Sequence, residues 1–503
     1  GRYTTQAKQQ SGKRFNIHEI PYVWPKDILK NCNPKNIGFD PKLFTKDTLK
    51  LYFNNSCNLF PVTSNLFKNR IEKINNDNLV YSISSSISGE SSQSKIKRLK
   101  KIIKRKEIDN LFISSNENVC WLLNIRGKDL PNSPIANFQA IFTNKQEIFL
   151  FGDIRKLKII KKKLLNENIV FFEKNKFFQI LSSLKGKSFG IDNKTCSLFN
   201  ENLINSKYII KNRTDPIYKL KSIKNSIEIK NMKDVHIQDG VAVTKFLFWI
   251  KNTKIDKLDE IKVEKKLESF RKQSKNILFP SFSTIAGSGP NGAIIHYRSN
   301  KKSNRKLKKN HLLLLDSGGQ YKWGTTDVTR TISFNKPNKK IKELYTRVLK
   351  GHIAVAVAKI DKLKNGNNLD KLARKSLKSI NLDYKHGTGH GVGFFMNVHE
   401  GPQSISKNNF VKLEKGMIIS NEPGYYLENK FGIRIENLVY VDSIKKKLFL
   451  KNLTFVPLEK DLIETSLLTK IEKDYIFNYH LETYLKISPY LKNNERKWFV
   501  KLI

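Results

Sequence analysis

Apolar and polar positions follow two different patterns along this chain. In the first half, short apolar runs at 110–113, 138–142 and 147–151 are bounded by polar residues and predict strands. Ahead of them, isoleucine and leucine recur at helical spacing in the basic segment 96–103, which predicts an amphipathic helix. This mixture of helix and strand is typical of an α/β domain.

Two segments of the first half recur later in the chain. Ile37–Asp40 is echoed by Phe189–Asp192, and Thr63–Ile71 is echoed by Thr214–Ile223 at nearly the same spacing. Because the two spacings agree, the pattern predicts two tandem copies of one domain. The serine-rich segment Ser82–Ser94 is then interpreted as the linker between the copies.

The repeat also sets the expected domain boundaries. Aligning the copies places Gly1 inside the first copy, so its opening helix and three strands would precede this sequence. After Asp215-Pro216 the pattern changes to long amphipathic helices and antiparallel hairpins, which predicts an α+β domain. We expect an incomplete first domain at 1–81 and its second copy at 95–214. The α+β domain should follow at 216–447, and a short helical appendix at 448–503.

The first hairpin of the α+β domain carries two aspartates. The apolar run Leu312–Leu315 ends in Asp316, glycines follow, and Thr326–Phe334 alternates as a half-buried strand does. A turn centred near residue 321 or 322 would place Asp316 and Asp327 nearly opposite each other. A lone aspartate at a strand end is usually a turn residue, so this pair needs support from elsewhere in the chain.

A second hairpin repeats the arrangement with two glutamates. Glu422 precedes Pro423-Gly424, and Glu436 returns on the next strand. Facing side chains on paired strands are about 5 Å apart, which suits carboxylates that hold two metal ions about 3.5–4 Å apart. Four buried acids without cations would repel one another and take up protons. The matched hairpins therefore favour a metal centre.

Five further segments carry histidine, glycine and glutamate motifs: Gly289–Tyr297, His386-Gly-Thr-Gly-His390-Gly-Val-Gly, Val398-His-Glu-Gly-Pro402, Glu422-Pro-Gly and Gly432-Ile-Arg-Ile-Glu436-Asn. Together with the spacing of Asp316 and Asp327, they resemble the Xaa-Pro aminopeptidases of the long form. These are pita-bread metallopeptidases related to prolidase, methionine aminopeptidase and creatinase. The resemblance implies two creatinase-like N-terminal α/β domains, the first incomplete here, followed by a pita-bread catalytic domain and a short C-terminal helical appendix.

The resemblance also implies a set of metal ligands. Asp316 would bind one ion, His390 and Glu422 would bind the second, and Asp327 and Glu436 would bridge both. Carboxylates with one imidazole suit Mn²⁺, Co²⁺ or Zn²⁺. We expect two divalent ions, with Mn²⁺ as the first choice.

The implied reaction is hydrolysis of the N-terminal Xaa-Pro bond of proline-containing peptides. His296 and His399 would contact the scissile carbonyl and the developing oxyanion, and His386 would shape the proline side of the cleft. Glu422 would also relay a proton to the departing proline nitrogen. Arg434 is expected to contact a ligand carboxylate.

Charge and cysteine content limit the alternatives. The formal net charge is +48, which is typical of proteins that bind nucleic acids or anionic membranes. However, the lysines are spread over the whole chain among asparagine and isoleucine, residues that share A/T-rich codons, so we expect no specific nucleic-acid partner. No apolar run is long enough to span a membrane. The four cysteines form no CxxC motif and indicate reduced thiols in a cytoplasmic homodimer, the dimer being implied by the resemblance.

Two other functions compete with this interpretation. A relative with another specificity, such as a prolidase that takes dipeptides or a methionine aminopeptidase, would share the metal ligands. The N-terminal domains and the C-terminal appendix favour the long Xaa-Pro form. A pita-bread fold that only binds nucleic acid or protein would typically have lost metal ligands, and all five are present here.

Overall fold

A computed structural model describes residues 3–32, 36–53, 57–62, 78–145 and 147–503. The chain forms two compact units. The first unit contains residues 16–221, and the second contains residues 222–503 together with the N-terminal segment up to Phe15. None of the described helices is long and apolar enough to cross a membrane.

The elements before residue 63 are α1 (Thr4–Ser11), α2 (Pro25–Cys32), β1 (Asn36–Phe39), α3 (Lys46–Phe53) and β2 (Asn58–Pro61). Helix α1 belongs to the second unit. In the first unit, β1 and β2 pair in parallel, with Ile37 opposite Leu59, and α3 connects them.

The rest of the first unit contains β3 (Tyr81–Ser82), α4 (Ser85–Ser88), α5 (Ser92–Arg105), β4 (Asn110–Ile113), α6 (Asn116–Leu122), β5 (Ile125–Arg126), β6 (Gln139–Phe142), β7 (Ile148–Phe151), α7 (Lys161–Asn166), β8 (Ile169–Phe172), α8 (Phe177–Ser183), β9 (Ser188–Ile191), α9 (Leu198–Asn205), β10 (Ile209–Asn212) and α10 (Pro216–Ser222). Six strands form a mixed sheet in the order β10-β9-β4-β6-β7-β8. Its core includes Phe112, Ile141 and Phe189. The predicted helix and the predicted strands β4, β6 and β7 are confirmed.

The predicted repeat corresponds to matching structure. Ile37–Asp40 and Phe189–Asp192 contain β1 and β9, and each strand is followed by a helix and a parallel partner strand at the same spacing, which makes β1-α3-β2 and β9-α9-β10 equivalent units. The second echo begins with Thr63–Ile71, which lies outside the described residues.

The linker interpretation of Ser82–Ser94 is wrong. This segment forms part of β3, all of α4 and the start of α5. Ser91 acts as a helix cap: its side chain accepts a hydrogen bond from the Ser94 amide at the start of α5. Ser92 is buried and donates to Glu167 at 2.7 Å. Serine favours both turns and helix starts, so composition alone could not separate the two.

The second unit contains, besides α1, α11 (Ser226–Lys251), α12 (Glu260–Arg271), β11 (Ile277–Pro280), β12 (Ile285–Ser288), β13 (Leu313–Ser317), β14 (Gly319–Tyr321), β15 (Gly324–Thr325), β16 (Val328–Ile332), α13 (Lys339–Ala356), α14 (Ile360–Leu363), α15 (Gly366–Lys378), β17 (Gly389–His390), β18 (Ser404–Ile405), β19 (Ile418–Asn421), β20 (Gly424–Leu427), β21 (Phe431–Arg434), β22 (Asn437–Ile444), β23 (Lys447–Asn452), α16 (Lys470–Ile487) and α17 (Asn493–Val500). Strand β23 crosses the boundary expected between 447 and 448, so the C-terminal appendix begins with strand residues and continues with α16 and α17.

The register of the first hairpin differs from the prediction. Strand β13 pairs antiparallel with β16, and Asp316 lies opposite Thr329 rather than Asp327. The β14-β15 hairpin continues this same register, with Gln320 opposite Thr325, and β14 also pairs with β11. Its turn falls at Lys322–Trp323, one residue later than a turn that would pair the two aspartates, so Asp327 stands just before β16.

The register of the second hairpin is as predicted. Asn421 pairs with Asn437, and Gly424 pairs with Arg434. These two pairs bracket Glu422 and Glu436, which therefore face each other. The pairing continues through both ladders in one register, so the position of one glutamate fixes that of the other.

Candidate metal centre and substrate cavity

A cavity of about 770 Å³ lies in the second unit. Its walls carry all the predicted ligands and substrate histidines: Asp316, Asp327, His390, Glu422, Glu436, His296, His386 and His399. Arg434 lines the same cavity. Helix α1 contributes Tyr3, Gln6 and Gln10 to the wall, and sequence reasoning missed these residues because no motif marks them.

The ligand side chains come from the ends of strands in different sheets. Asp316 lies on β13, and Asp327 directly precedes β16. His390 ends β17, Glu422 follows β19, and Glu436 precedes β22. One ligand atom each of Asp327, His390 and Glu436 lies within 4.8 Å of the other two. Strand ends that are distant in sequence thus converge on one point.

His390 is oriented as a metal ligand would be. Its Nδ1 lies 2.9 Å from the Gly391 carbonyl oxygen, which can only accept, so Nδ1 carries the proton. Its Nε2 faces the acids, 3.4 Å from Asp327 Oδ2 and 3.6 Å from Glu422 Oε1. A hydrogen bond that fixes the tautomer in this way is usual for metal-binding histidines.

Burial and mutual repulsion perturb the acids. Burial, followed by the charges of Asp316 and Glu422, raises the pKa of Asp327 well above its ordinary value. Burial also raises the pKa of Glu436 well above its ordinary value, with Asp327 as the next cause. The pKa of Glu422 is raised by burial and is partly lowered again by His390. These acids favour a cation that would neutralise them.

Two ligand oxygens point into the site without a hydrogen-bond donor. Within the described part of the chain, Asp316 Oδ1 and Asp327 Oδ1 are buried and have no hydrogen-bond partner. Buried polar atoms normally have such a partner. Free carboxylate oxygens beside an imidazole nitrogen form a donor set that divalent cations such as Mn²⁺ or Zn²⁺ accept. The residues present therefore fit a metal centre.

Arg434 connects the metal side of the cavity to the histidine side. Its guanidinium donates to Asp316 Oδ2 at 2.6 Å, which is the contact expected from the sequence, and to the Tyr426 hydroxyl at 2.7 Å. The Tyr426 hydroxyl lies 3.0 Å from His386 Nε2. Burial lowers the pKa of His386 to about 3, so this imidazole is neutral and accepts from Tyr426. Sequence reasoning missed Tyr426, although it lies only two residues after the Glu422-Pro-Gly motif.

Two hydroxyl residues hold ligands in place and were also missed. Thr329 donates to Glu436 Oε2 at 2.8 Å, and its carbonyl accepts the Glu436 amide at 3.2 Å. Ser420 donates to Glu422 Oε1 at 3.3 Å and accepts from the His390 amide at 3.0 Å. Thr329 lies in the Thr326-Asp-Val-Thr329 segment, so the signal for it was its closeness to Asp327.

The glycine-rich segment between His386 and His390 packs tightly against β19. A Cβ atom on Gly389 would lie 1.9 Å from the Ser420 carbonyl oxygen, so only glycine fits there. Arg374 holds the start of the segment by donating to the His386 carbonyl at 2.6 Å. Asp370 in turn binds Arg374 through two hydrogen bonds, of 2.8 and 3.1 Å.

The histidines expected at the substrate surround the same cavity. The rings of His399 and His390 have centroids 4.2 Å apart. The ring of His296 lies 5.0 Å from that of Tyr3 on α1. His386 lies on the Tyr426 side described above. The structure thus brings every sequence-predicted site residue together, and their roles follow below as proposals.

Comparison with known families agrees with this site. The model of metallopeptidase family M24 matches residues 230–443, which hold all five candidate ligands. The chain is 35% identical to Xaa-Pro aminopeptidase 1 of Dictyostelium discoideum over 99% of its own length and 84% of that protein. The chain belongs to metallopeptidase family M24. Two further family models match on either side of this region. The creatinase/prolidase N-terminal domain matches residues 72–228, and the C-terminal region of M24 peptidases matches residues 446–502.

Other M24 relatives extend the comparison. A probable Xaa-Pro aminopeptidase P of Laccaria bicolor is 35% identical over 99% of this chain and 82% of that protein. Among solved structures, the X-prolyl aminopeptidase of Caenorhabditis elegans is 29% identical, with a TM-score of 0.90 over all of this chain and 87% of that one. That protein is described as a cytosolic enzyme with a di-nuclear active site. The predicted creatinase-like and pita-bread architecture is confirmed.

Proposed function

We propose that this M24 metallopeptidase is an aminopeptidase that hydrolyses the N-terminal Xaa-Pro bond of peptides and releases the N-terminal residue. One observation carries the proposal: five side chains suited to metal binding and three further imidazoles line a single cavity. The names of the relatives from Dictyostelium and Laccaria support the same activity. The full-length likeness to these long relatives favours it over the activity of a prolidase or a methionine aminopeptidase.

The donor set would hold two divalent cations, for which Mn²⁺ is the first choice and Zn²⁺ or Co²⁺ the alternatives. Asp316 would hold one ion, His390 and Glu422 the other, and Asp327 and Glu436 would be shared. When bound, such ions polarise the scissile carbonyl and lower the pKa of a water molecule. The di-nuclear site described for the Caenorhabditis elegans enzyme supports this assignment.

The other side chains would position the peptide and move protons. His296 and His399 would hold the scissile carbonyl and the oxyanion that develops from it. Glu422, whose pKa is raised by burial, would take a proton from the attacking water and pass it to the proline nitrogen. His386, kept neutral by burial and held by Tyr426, would form the wall beside the proline ring.

We also propose a cytoplasmic homodimer without a specific nucleic-acid or membrane partner. The description of the Caenorhabditis elegans relative as cytosolic supports the location. Among the described thiols, Cys57, Cys120 and Cys196 are free, as expected in a reducing compartment.

Peptide hydrolysis tests the proposal. With Mn²⁺ present, Xaa-Pro-Xaa peptides should lose their first residue, whereas Xaa-Ala-Xaa peptides should react much more slowly. The products are resolved by mass spectrometry, and Glu436→Gln serves as the inactive control. Equal rates on the two peptide classes, or cleavage of Xaa-Pro dipeptides alone, would show that the assignment is wrong.

A further inference from the structure

A buried ion pair lies directly behind the metal-binding loops. Lys224 Nζ is 2.7 Å from Glu400 Oε1, and the two side chains are 0% and 1% exposed. In the described part of the chain, neither residue lines the cavity. Removing two charges from water is costly, and apolar side chains often replace such a pair without loss of stability. Its position therefore suggests a role other than stabilisation.

Lys224 is anchored to the strand that leads to Glu422. Its amide donates to the Gly416 carbonyl at 3.0 Å, and the neighbouring Ile223 forms a bridge with Met417. Met417 directly precedes β19, which ends one residue before Glu422. The lysine ammonium thus extends from a backbone that is held on the main sheet of the site.

Glu400 is joined to the histidine loops through its own backbone. It directly follows His399, and its amide donates to the Gly391 carbonyl at 2.8 Å. The same carbonyl accepts the Nδ1 proton of His390 at 2.9 Å. A Cβ atom on Gly391 would lie 1.9 Å from the Glu400 carbonyl oxygen, so the two strands are in close contact. The Glu400 backbone therefore fixes the group that orients His390.

We propose that the Lys224–Glu400 pair is a positioning element for the reaction. The lysine holds the Glu400 side chain against the main sheet, and Glu400 thereby sets the place of His399 and of the Gly391 carbonyl. This inference rests on the proposed function, because His399 is expected to act on the scissile carbonyl. A shift of about 1 Å in such a group can cost about 100-fold in rate.

Single and double variants of the Mn²⁺-loaded full chain test the positioning. Glu400→Gln should lower kcat about 10- to 100-fold while KM changes less than about threefold, since the lost interaction is made mainly in the transition state. Bound metal, measured by mass spectrometry, should stay at the wild-type level. In a His399→Ala background, the further loss caused by Glu400→Gln should be clearly smaller than in the wild type, because the part of the effect that acts through His399 is already gone.

A second lysine–glutamate pair, partly rather than fully buried, provides the control. Lys251 contacts Glu459 at 2.8 Å in the same unit, at a distance in sequence from the histidine loops. Glu459→Gln should leave kcat within about twofold, because only stability depends on that pair. If Glu400→Gln folds poorly, the double variant Lys224→Met/Glu400→Met replaces the ion pair with apolar side chains that fill the same space. This double variant should fold and show the same loss of kcat.

The outcomes separate the two proposals. If the wild-type chain cleaves no Xaa-Pro peptide, the proposed function fails, whatever the variants do. If the wild-type chain is active but Glu400→Gln and the double methionine variant keep normal kcat, the positioning role is refuted. An equal loss in the wild-type and His399→Ala backgrounds would likewise refute it, because a structural defect would act in both.

Discussion

Lys95 of the first unit and the acids of the metal centre in the second unit are buried in opposite ways. In the first unit, Lys95 donates to the Trp121 carbonyl at 3.0 Å and to Asn124 Oδ1 at 2.6 Å. In the second unit, Asp316 and Asp327 each keep one buried oxygen without a donor in the described structure. A buried charge that is paired internally supports the fold, whereas a group of buried acids left open toward one cavity forms a binding site.

The pKa values express the same difference. Asp215 of the first unit accepts from the Ile217 amide and from Asn118, and these bonds limit the rise caused by burial, so its pKa is about 6. Burial raises the pKa values of Asp327 and Glu436 well above the ordinary range, and the neighbouring acids of the site raise them further. The site needs a cation at neutral pH, whereas Asp215 has its partners already.

The largest expected effect follows from Glu436→Gln. The five ligands supply four carboxylate charges, which balance two divalent cations, and the change leaves one positive charge in excess. We expect loss of at least one metal ion. Turnover should fall well beyond the roughly 10- to 100-fold loss that is typical when a residue hydrogen-bonded to a metal ligand is changed. Metal analysis by mass spectrometry and circular dichroism test this. A folded variant with two metals per chain and near-normal activity would contradict the ligand assignment.

Chelation of the metal ions is expected to act on the second unit, which contains the metal centre. Removing divalent ions should abolish peptide hydrolysis and lower the thermal stability of the second unit, because the bare acids then repel one another. Adding Mn²⁺ at about 100 times its Kd should restore about 2.7 kcal/mol. Differential scanning calorimetry with and without Mn²⁺ measures the shift. An unchanged Tm together with full activity in chelator would argue against a metal centre.

A smaller effect is expected from Asp215→Ala in the first unit. The Asn118 amide and the Ile217 N–H would each lose an acceptor, which should cost about 1–3 kcal/mol of unfolding free energy. We expect kcat to stay within about twofold, since no metal ligand is involved. Urea unfolding and peptide assays measure the two quantities. A large loss of kcat with unchanged stability would show that Asp215 serves catalysis rather than the stability of the fold.

The smallest effect concerns His480 on α16. Its Nε2 accepts the Leu458 amide at 3.0 Å, and burial lowers its pKa to about 4. A histidine pKa lowered by folding gives stability that is present above the unfolded value near 6.5 and is lost as the pH falls toward 4. His480→Gln should reduce the pH slope of the unfolding free energy near pH 5 by up to about 1.4 kcal/mol per unit. An unchanged slope would mean that His480 is charged when folded.

Local patterns carried much of the prediction. At the start of α11, the side chains of Asn225 and Glu228 form a reciprocal cap, a pattern whose two residues lie only three positions apart in sequence. The Glu422 and Glu436 hairpin was correct because one continuous register spans it. The Asp316 hairpin was misjudged by one residue in the position of its turn, because glycines mark a reversal without fixing its centre.

The amino-acid sequence by itself singled out the side chains that line one cavity, because the types and spacing of acids, histidines and glycines are read directly from the chain. It also determined most strands and helix starts, since period and capping act over a few residues. Only the tertiary structure decided that Arg434 reaches Asp316, that Tyr426 reaches His386 and that Lys224 reaches Glu400. These partners are separated by 40 to 176 residues, and side-chain contacts over such separations depend on how sheets pack, which no local pattern encodes.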